Sequence, residues 1–304
     1  MIASFQTLSP QWRATIMMVA ALFCFNLMGV SIRLASAYVP VMEVVFFRNF
    51  LAVVIMLPFL MRTGFAKLRM NRPKLFFGRA LVNFIGMYCG FTAVTLIPLA
   101  EMTALSFTGP IFVTIGAVLF LGEVIRLRRI IAILFGFVGA LIILQPGFSE
   151  ISYGAILALT SALAIAMASL FVKKMTETET SESIVFWMVA MQAPMAFFPM
   201  MAVWVTPSPI GWAFLAAVAV SGTIAHLLFT KACGLVEITS LQPLEFTKLI
   251  FAVILAWFIF DEWPTIWIWI GGSIIFGATA YITHREGQAK KSIKPNLGVR
   301  EAKM

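Results

Sequence analysis

The decapeptide LQPLEFTKLI, positions 241–250, sets Glu245 and Lys248 three residues apart at the head of an apolar run that reaches Phe260 without another charge. At that spacing the two side chains share a helical face. With a helix opening near Thr239, Lys248 lies about 14 Å along it at 1.5 Å per residue, close to the centre of a bilayer. A charge at that depth costs at least about 2.5–3.5 kcal/mol on insertion scales, so it faces a partner or a wet cavity. One reading is contact with a substrate or a proton. Two structural readings stand beside it: a mutual ion pair, or Glu245 favouring a helix start near Pro243 while Lys248 snorkels to the interface. Arg48 raises the same question in another apolar segment, with Glu43 and Glu101 as partners in an outer gate or a packing bridge. Its nearness to the interface favours the structural use.

Asn26, Asn83, Tyr88, Gln192 and His226 are further polar groups inside apolar stretches. Lipid offers them no hydrogen bond, so each must find one within the protein or a cavity. Interhelical packing is the commoner fate, and His226 alone among them titrates near neutral pH and suits a proton cycle. The chain has no HExxH, no GxSxG and no Walker A sequence, which speaks against a metalloprotease, a serine hydrolase and ATP-driven transport by this chain alone. With two histidines and three dispersed cysteines, no metal-ligand spacing or disulfide framework is present. No cofactor, metal site or catalytic residue is expected.

These residues need apolar elements to hold them. Of the 304 residues, 61% are hydrophobic and 12% charged, against about 25% charged in soluble domains. Apolar segments of about 20 residues recur along the chain, each long enough to cross a hydrocarbon core of about 30 Å as a helix. They lie near 13–36, 42–62, 76–96, 100–122, 127–146, 152–174, 183–206, 211–233, 239–260 and 264–283. The first carries an Ala35-Ser36-Ala37 triplet that imitates a signal-peptidase site, but its apolar stretch is too long for a signal peptide, so it reads as a span. The net charge of +9 would suit nucleic acid if it were clustered on one surface. Instead 19 of the 22 basic residues fall on alternate connections and the two termini, the positive-inside pattern with both termini cytoplasmic. Nucleic acid is therefore not an expected partner.

Displacing the chain by 139 residues lays LIPLAEMTALSFTGPIFVTIGAVLFLGE (96–123) on LVEITSLQPLEFTKLIFAVILAWFIFDE (235–262) without a gap. Glu123 meets Glu262, and Glu245 and Lys248 fall opposite Ser106 and Gly109, where the first copy is small and uncharged. Five spans per copy is an odd number, so the copies insert in opposite senses, the arrangement that supports rocking about a site near the midplane. The expected fold is an all-α integral membrane protein of ten transmembrane helices in two inverted five-helix repeats, 1–148 and 149–286, with a basic tail of disordered composition over 287–304.

The segments VPVMEVVFFRNF (39–50), IPLAEMTALSFTGPIFVTIGAVLFLGE (97–123) and the weaker second copy ending FDE resemble the drug/metabolite transporter superfamily, in its ten-helix EamA-type branch. The resemblance covers about residues 13 to 285. It implies a secondary carrier of the bacterial inner membrane whose first, third, fourth, sixth, eighth and ninth helices line a central cavity, which raises Asn26, Tyr88 and His226 above Gln192 as substrate contacts. With Glu245, Lys248 and Arg48 they form the expected substrate-binding set. Within the branch, ALSFTGPIFVTIGA (104–117) looks most like bacterial uptake carriers for S-adenosylmethionine or riboflavin, and similar segments occur in metabolite exporters. Passive channel, structural partner and intramembrane enzyme are the rival classes. Lys248 suits a carboxylate or phosphate and Glu245 an amine or sulfonium, so the expected substrate is a small polar metabolite. The remaining partners are the lipid bilayer and, as the minority use of the small-residue seams Gly86/Gly90, Ala132/Gly136/Ala140 and Ser273/Gly277, a second copy of the chain.

Overall fold

The computed structural model describes residues 8–63, 68–106, 108–109, 111–113, 134–135, 138–139, 141–143, 151–236, 241, 244, 247–274 and 276–277. Glu123, Glu245, most of the fifth expected span and the basic tail lie outside them. The described residues form helices and their connections, with no strand among them. The helices are α1 (Pro10–Ala35), α2 (Val41–Thr63), α3 (Pro73–Leu96), α4 (Leu99–Ser106), α5 (Tyr153–Met175), α6 (Ser181–Met201), α7 (Pro209–Leu235) and α8 (Thr247–Phe260), followed by helical residues 266–274. Six of them, α1, α2, α3, α5, α6 and α7, are long and apolar enough to cross a membrane.

Local chemistry sets the starts. Ser9, Ser152, Thr180 and Ser208 each cap a helix by accepting the backbone N–H three residues on, from Trp12, Ala155, Ser183 and Gly211 respectively, which satisfies a donor the helix itself leaves orphaned. In α1 and α7 a proline follows the cap, where its fixed φ suits the first turn and its missing N–H costs nothing. Pro98 separates α3 from α4, since the residue before a proline is driven out of helical geometry; Ile97 is accordingly extended, with ψ at 159°. The helix expected from Thr239 is described only from Thr247, whose Oγ1 donates to Leu244 O at 2.7 Å.

Packing is most extensive between α1 and α7, α3 and α5, and α2 and α6; α7 also touches α2 and α6 touches α3, while α8 lies along α1 and α4, and α4 along α5. The largest buried cluster joins Val30 of α1, Val44 of α2, Val94 of α3, Leu215 of α7 and Ala252 of α8. Large apolar side chains such as Phe77, Phe198, Ile250 and Phe258 point outward, as expected where the surrounding solvent is hydrocarbon. Trp12, Trp212 and Trp263 are exposed near helix ends, the depth at which amphipathic rings settle.

The Gly86/Gly90 spacing is used inside the monomer. A Cβ on Gly86 would come within 3.0 Å of the Ala164 Cβ, and one on Gly90 within 2.6 Å of Ser161 Oγ. The Ser161 hydroxyl donates to Gly86 O at 2.7 Å, so α3 and α5 touch backbone to side chain. Replacing Gly90 by Leu should force this seam apart and lower stability by roughly 1–3 kcal/mol, the usual penalty of overpacking. The check is thermal unfolding of the detergent-purified variant; an unchanged midpoint would show that the seam yields freely.

Candidate functional site

A cavity of about 240 Å³ opens between α1, α2, α3, α4, α5, α7 and the start of α8. Its wall is largely apolar, with aromatic faces from Phe25, Phe91 and Phe229, and its polar groups come from different helices: Asn26, Arg48, Arg79, Asn83, Ser161, His226 and Lys248 among them. A mostly apolar chamber with a few converging polar groups is the usual form of a small-molecule site.

Four of the six expected contacts meet there. Asn26 of α1 is buried, and its Nδ2 donates to Leu22 O at 3.0 Å and to Lys248 O at 3.2 Å. The amide thus ties α1 to the backbone of α8. His226 of α7 sets its ring edge-on to Phe25, centroids 5.0 Å apart at 89°. Lys248 lines the same chamber. Tyr88 does not: it is 39% exposed and outside the cavity wall. α3 turns Gly86, Met87, Gly90, Phe91 and Val94 inward, and at 100° per residue Tyr88 falls on the other side of the helix. Glu245 lies outside the described residues.

Arg48 occupies its expected helix but not its expected partnership. It is 1% exposed; its Nη1 donates to Asn49 Oδ1 at 2.9 Å, and neither Glu43 nor Glu101 pairs with it. Glu43 is turned the other way, accepting the backbone N–H of Val205 after α6. The guanidinium instead lies over Gly222 of α7, where an added Cβ would stand 3.3 Å from Arg48 Nε. Arg79, counted in the sequence among the charges outside the membrane, is 3% exposed and lines the cavity, its Nη1 donating to Ile184 O of α6 at 2.8 Å. The signal was its place within an apolar segment, one turn beyond Pro73-Lys74-Leu75, beside Gly78 and Ala80. Gln192 is buried outside the chamber and donates to Ala80 O at 2.9 Å, a packing role. Among the described residues no cluster of histidine, cysteine or carboxylate side chains is grouped to hold a metal.

One end of the bundle is tied shut. Arg33 at the end of α1 meets Glu262 at 2.5 Å and lies over the Phe260 ring at 4.6 Å, while Glu262 Oε2 accepts the Leu99 N–H that opens α4. Asp261 makes this possible by taking left-handed geometry, φ 53°. Its N–H bonds Trp257 O at 3.2 Å, the single bond by which a left-handed residue ends a helix, and the next N–H reaches Ala256 O at 3.3 Å. At the other end Lys231 of α7 meets Glu182 of α6 at 3.4 Å.

The EamA-like transporter family model matches residues 12–145 and, a second time, residues 152–284. The chain belongs to the EamA-like transporter family. It is 31% identical over 247 residues to an S-adenosylmethionine uptake transporter of Rickettsia bellii, covering 81% of this chain and 85% of that one. It is 29% identical over 248 residues to a riboflavin transporter of Rhizobium johnstonii, covering 81% and 82%. A pseudopaline exporter of Pseudomonas aeruginosa is 29% identical over 259 residues, covering 84% and 91%. A crystal structure 14% identical in sequence superposes with a TM-score of 0.65 over 91% of this chain and 98% of the other, a likeness of fold alone. This EamA-like transporter is a multi-pass membrane protein.

Asn26 tests how far the chamber depends on the α1–α8 bond. Asn26→Leu keeps the branched shape and removes both donations, so stability should fall by roughly 0.6 kcal/mol, and by at most about 1.7, the range for interhelical bonds inside membranes. Thermal unfolding in detergent reads this directly; no loss would mean that Lys248 O is held by other groups.

Proposed function

We propose that this EamA-like transporter is a secondary-active carrier of a small polar metabolite working by alternating access, with S-adenosylmethionine and riboflavin uptake as the leading candidates. The observation that carries the reading is the chamber itself, enclosed by helices drawn from both family-matched segments. Exchanging α1 with α5, α2 with α6, α3 with α7 and α4 with α8 turns the α1–α7 pairing into α5–α3 and the α1–α8 contact into α5–α4, and maps α2–α6 and α4–α8 onto themselves. That pattern supports two structurally equivalent repeats, residues 1–148 and 149–286, of five spans each and inserted in opposite senses. Repeats of this kind rock about a shared site near the midplane.

The charge distribution supports the bacterial inner membrane with both termini cytoplasmic. In that orientation the Arg33–Glu262 tie closes the outer side. Opening outward then requires Arg33 to leave Glu262, and with it the start of α4. The relatives include carriers named for uptake and one named for export, as expected of a fold whose direction follows solute gradients. Contact with a second copy of the chain remains the minor use of the other two small-residue seams, Ala132/Gly136/Ala140 and Ser273/Gly277, since Gly86 and Gly90 are occupied by α5.

Counter-flow in proteoliposomes is the test. Vesicles preloaded with unlabelled S-adenosylmethionine or riboflavin should transiently accumulate the same labelled solute above its equilibrium level. Equilibration without overshoot would indicate a channel, conversion of the label an enzyme, and no uptake of either solute would remove both candidates.

A further inference from the structure

Two guanidinium groups face the same chamber, and none of the described residues there supplies a counter-charge. Arg48 and Arg79 are each almost wholly buried. Each spends one Nη on a neutral acceptor, Asn49 Oδ1 or Ile184 O, and the Nε of each is buried with no hydrogen-bond partner. No aspartate or glutamate is among the described residues that line the cavity. Guanidinium does not shed its proton in proteins, and burying a charge without a partner is expensive. Two such charges on one small chamber repel each other as well, and the repulsion is strong where the dielectric is low. A group that enters with a negative charge relieves both costs at once.

The chemistry of that group follows from the donors. Arginine's planar fork matches the two oxygens of a carboxylate or the oxygens of a phosphate. The rest of the wall is apolar, with ring faces from Phe25, Phe91 and Phe229, surfaces suited to a flat ring. We propose that the cargo is a small planar-ring metabolite bearing a carboxylate or phosphate, held by Arg48 and Arg79 through that anionic group with its ring against the phenylalanines. The proposal deepens the carrier reading and rests on it only in taking the anion to be cargo. Of the two candidate solutes it favours the one that carries a carboxylate.

Matched probe pairs test it: nicotinate with nicotinamide, phenylalanine with phenylalaninamide, and riboflavin 5′-phosphate with riboflavin, each titrated into the purified full chain while thermal unfolding is followed. In at least one pair the anionic member should bind about tenfold or more tightly than its partner. Arg48→Gln and Arg79→Gln should each weaken that member by about ten- to a hundredfold, the range for bonds to charged groups, and leave the neutral partner unchanged. Arg48→Lys and Arg79→Lys keep the charge and guard against loss of fold, and should retain part of the preference. The wild-type comparison needs no variant. Equal binding within every pair, preference for the uncharged or cationic members, or no binding of any anionic member overturns the proposal. Which pair discriminates separates carboxylate from phosphate. Anion preference without counter-flow would fail the carrier reading and spare the site, whereas counter-flow of a solute with no anion preference would do the reverse.

Discussion

Arg48 and Arg79 are buried in a bundle surrounded by hydrocarbon, where a polar group finds a partner inside the protein or in a wet cavity. A guanidinium in that setting costs a few kcal/mol even on the lenient insertion scales, and much of the packing around the chamber bears on how these two are held. Arg79 of α3 reaches a carbonyl of α6. Arg48 of α2 lies on Gly222 of α7, a position where only hydrogen leaves room for it and for Met28. Each arginine therefore bridges the two family-matched segments. The groups that charge the cavity also hold its walls together.

The helices were readable because hydropathy and capping chemistry agree. Ser-Pro at 9–10 and 208–209 and the lone serine at 152 mark starts that the apolar runs alone leave blurred by several residues. Asn26, Arg48 and His226 were found as polar residues in apolar segments, and that signal depends on no partner. Tyr88 was misplaced onto the wall because membership of a lining helix says nothing about which face a residue takes. Arg79 was missed for the opposite reason, since a basic residue close to a span end satisfies the charge rule whether it points to water or into the bundle. Partner choice was least legible of all. Glu43 and Arg48 are five residues apart on α2, and no spacing rule shows that the carboxylate turns to Val205.

The closed end shows how a short stretch of backbone commits distant helices. Left-handed geometry at Asp261 costs a non-glycine residue about 1 kcal/mol, with aspartate among the side chains that tolerate it best. The turn it creates puts one carboxylate, Glu262, against both Arg33 and the first N–H of α4. Helices α1, α4 and α8 thus share a single fastening, and none of them separates from the others there without breaking it.

The seam between α3 and α5 is also a wall of the chamber: Gly86, Gly90, Ser161 and Ile165 belong to both. A side chain enlarged on this wall would push two helices apart before it reshaped the space between them. The α1 and α7 wall, where Phe25, Asn26, His226 and Phe229 stand, has a tight point of its own at Gly222, where an added Cβ would meet Met28 and Arg48. Both walls thus have positions where no side chain can grow, and any change in the shape of the space between them falls to the residues that lie away from these glycines.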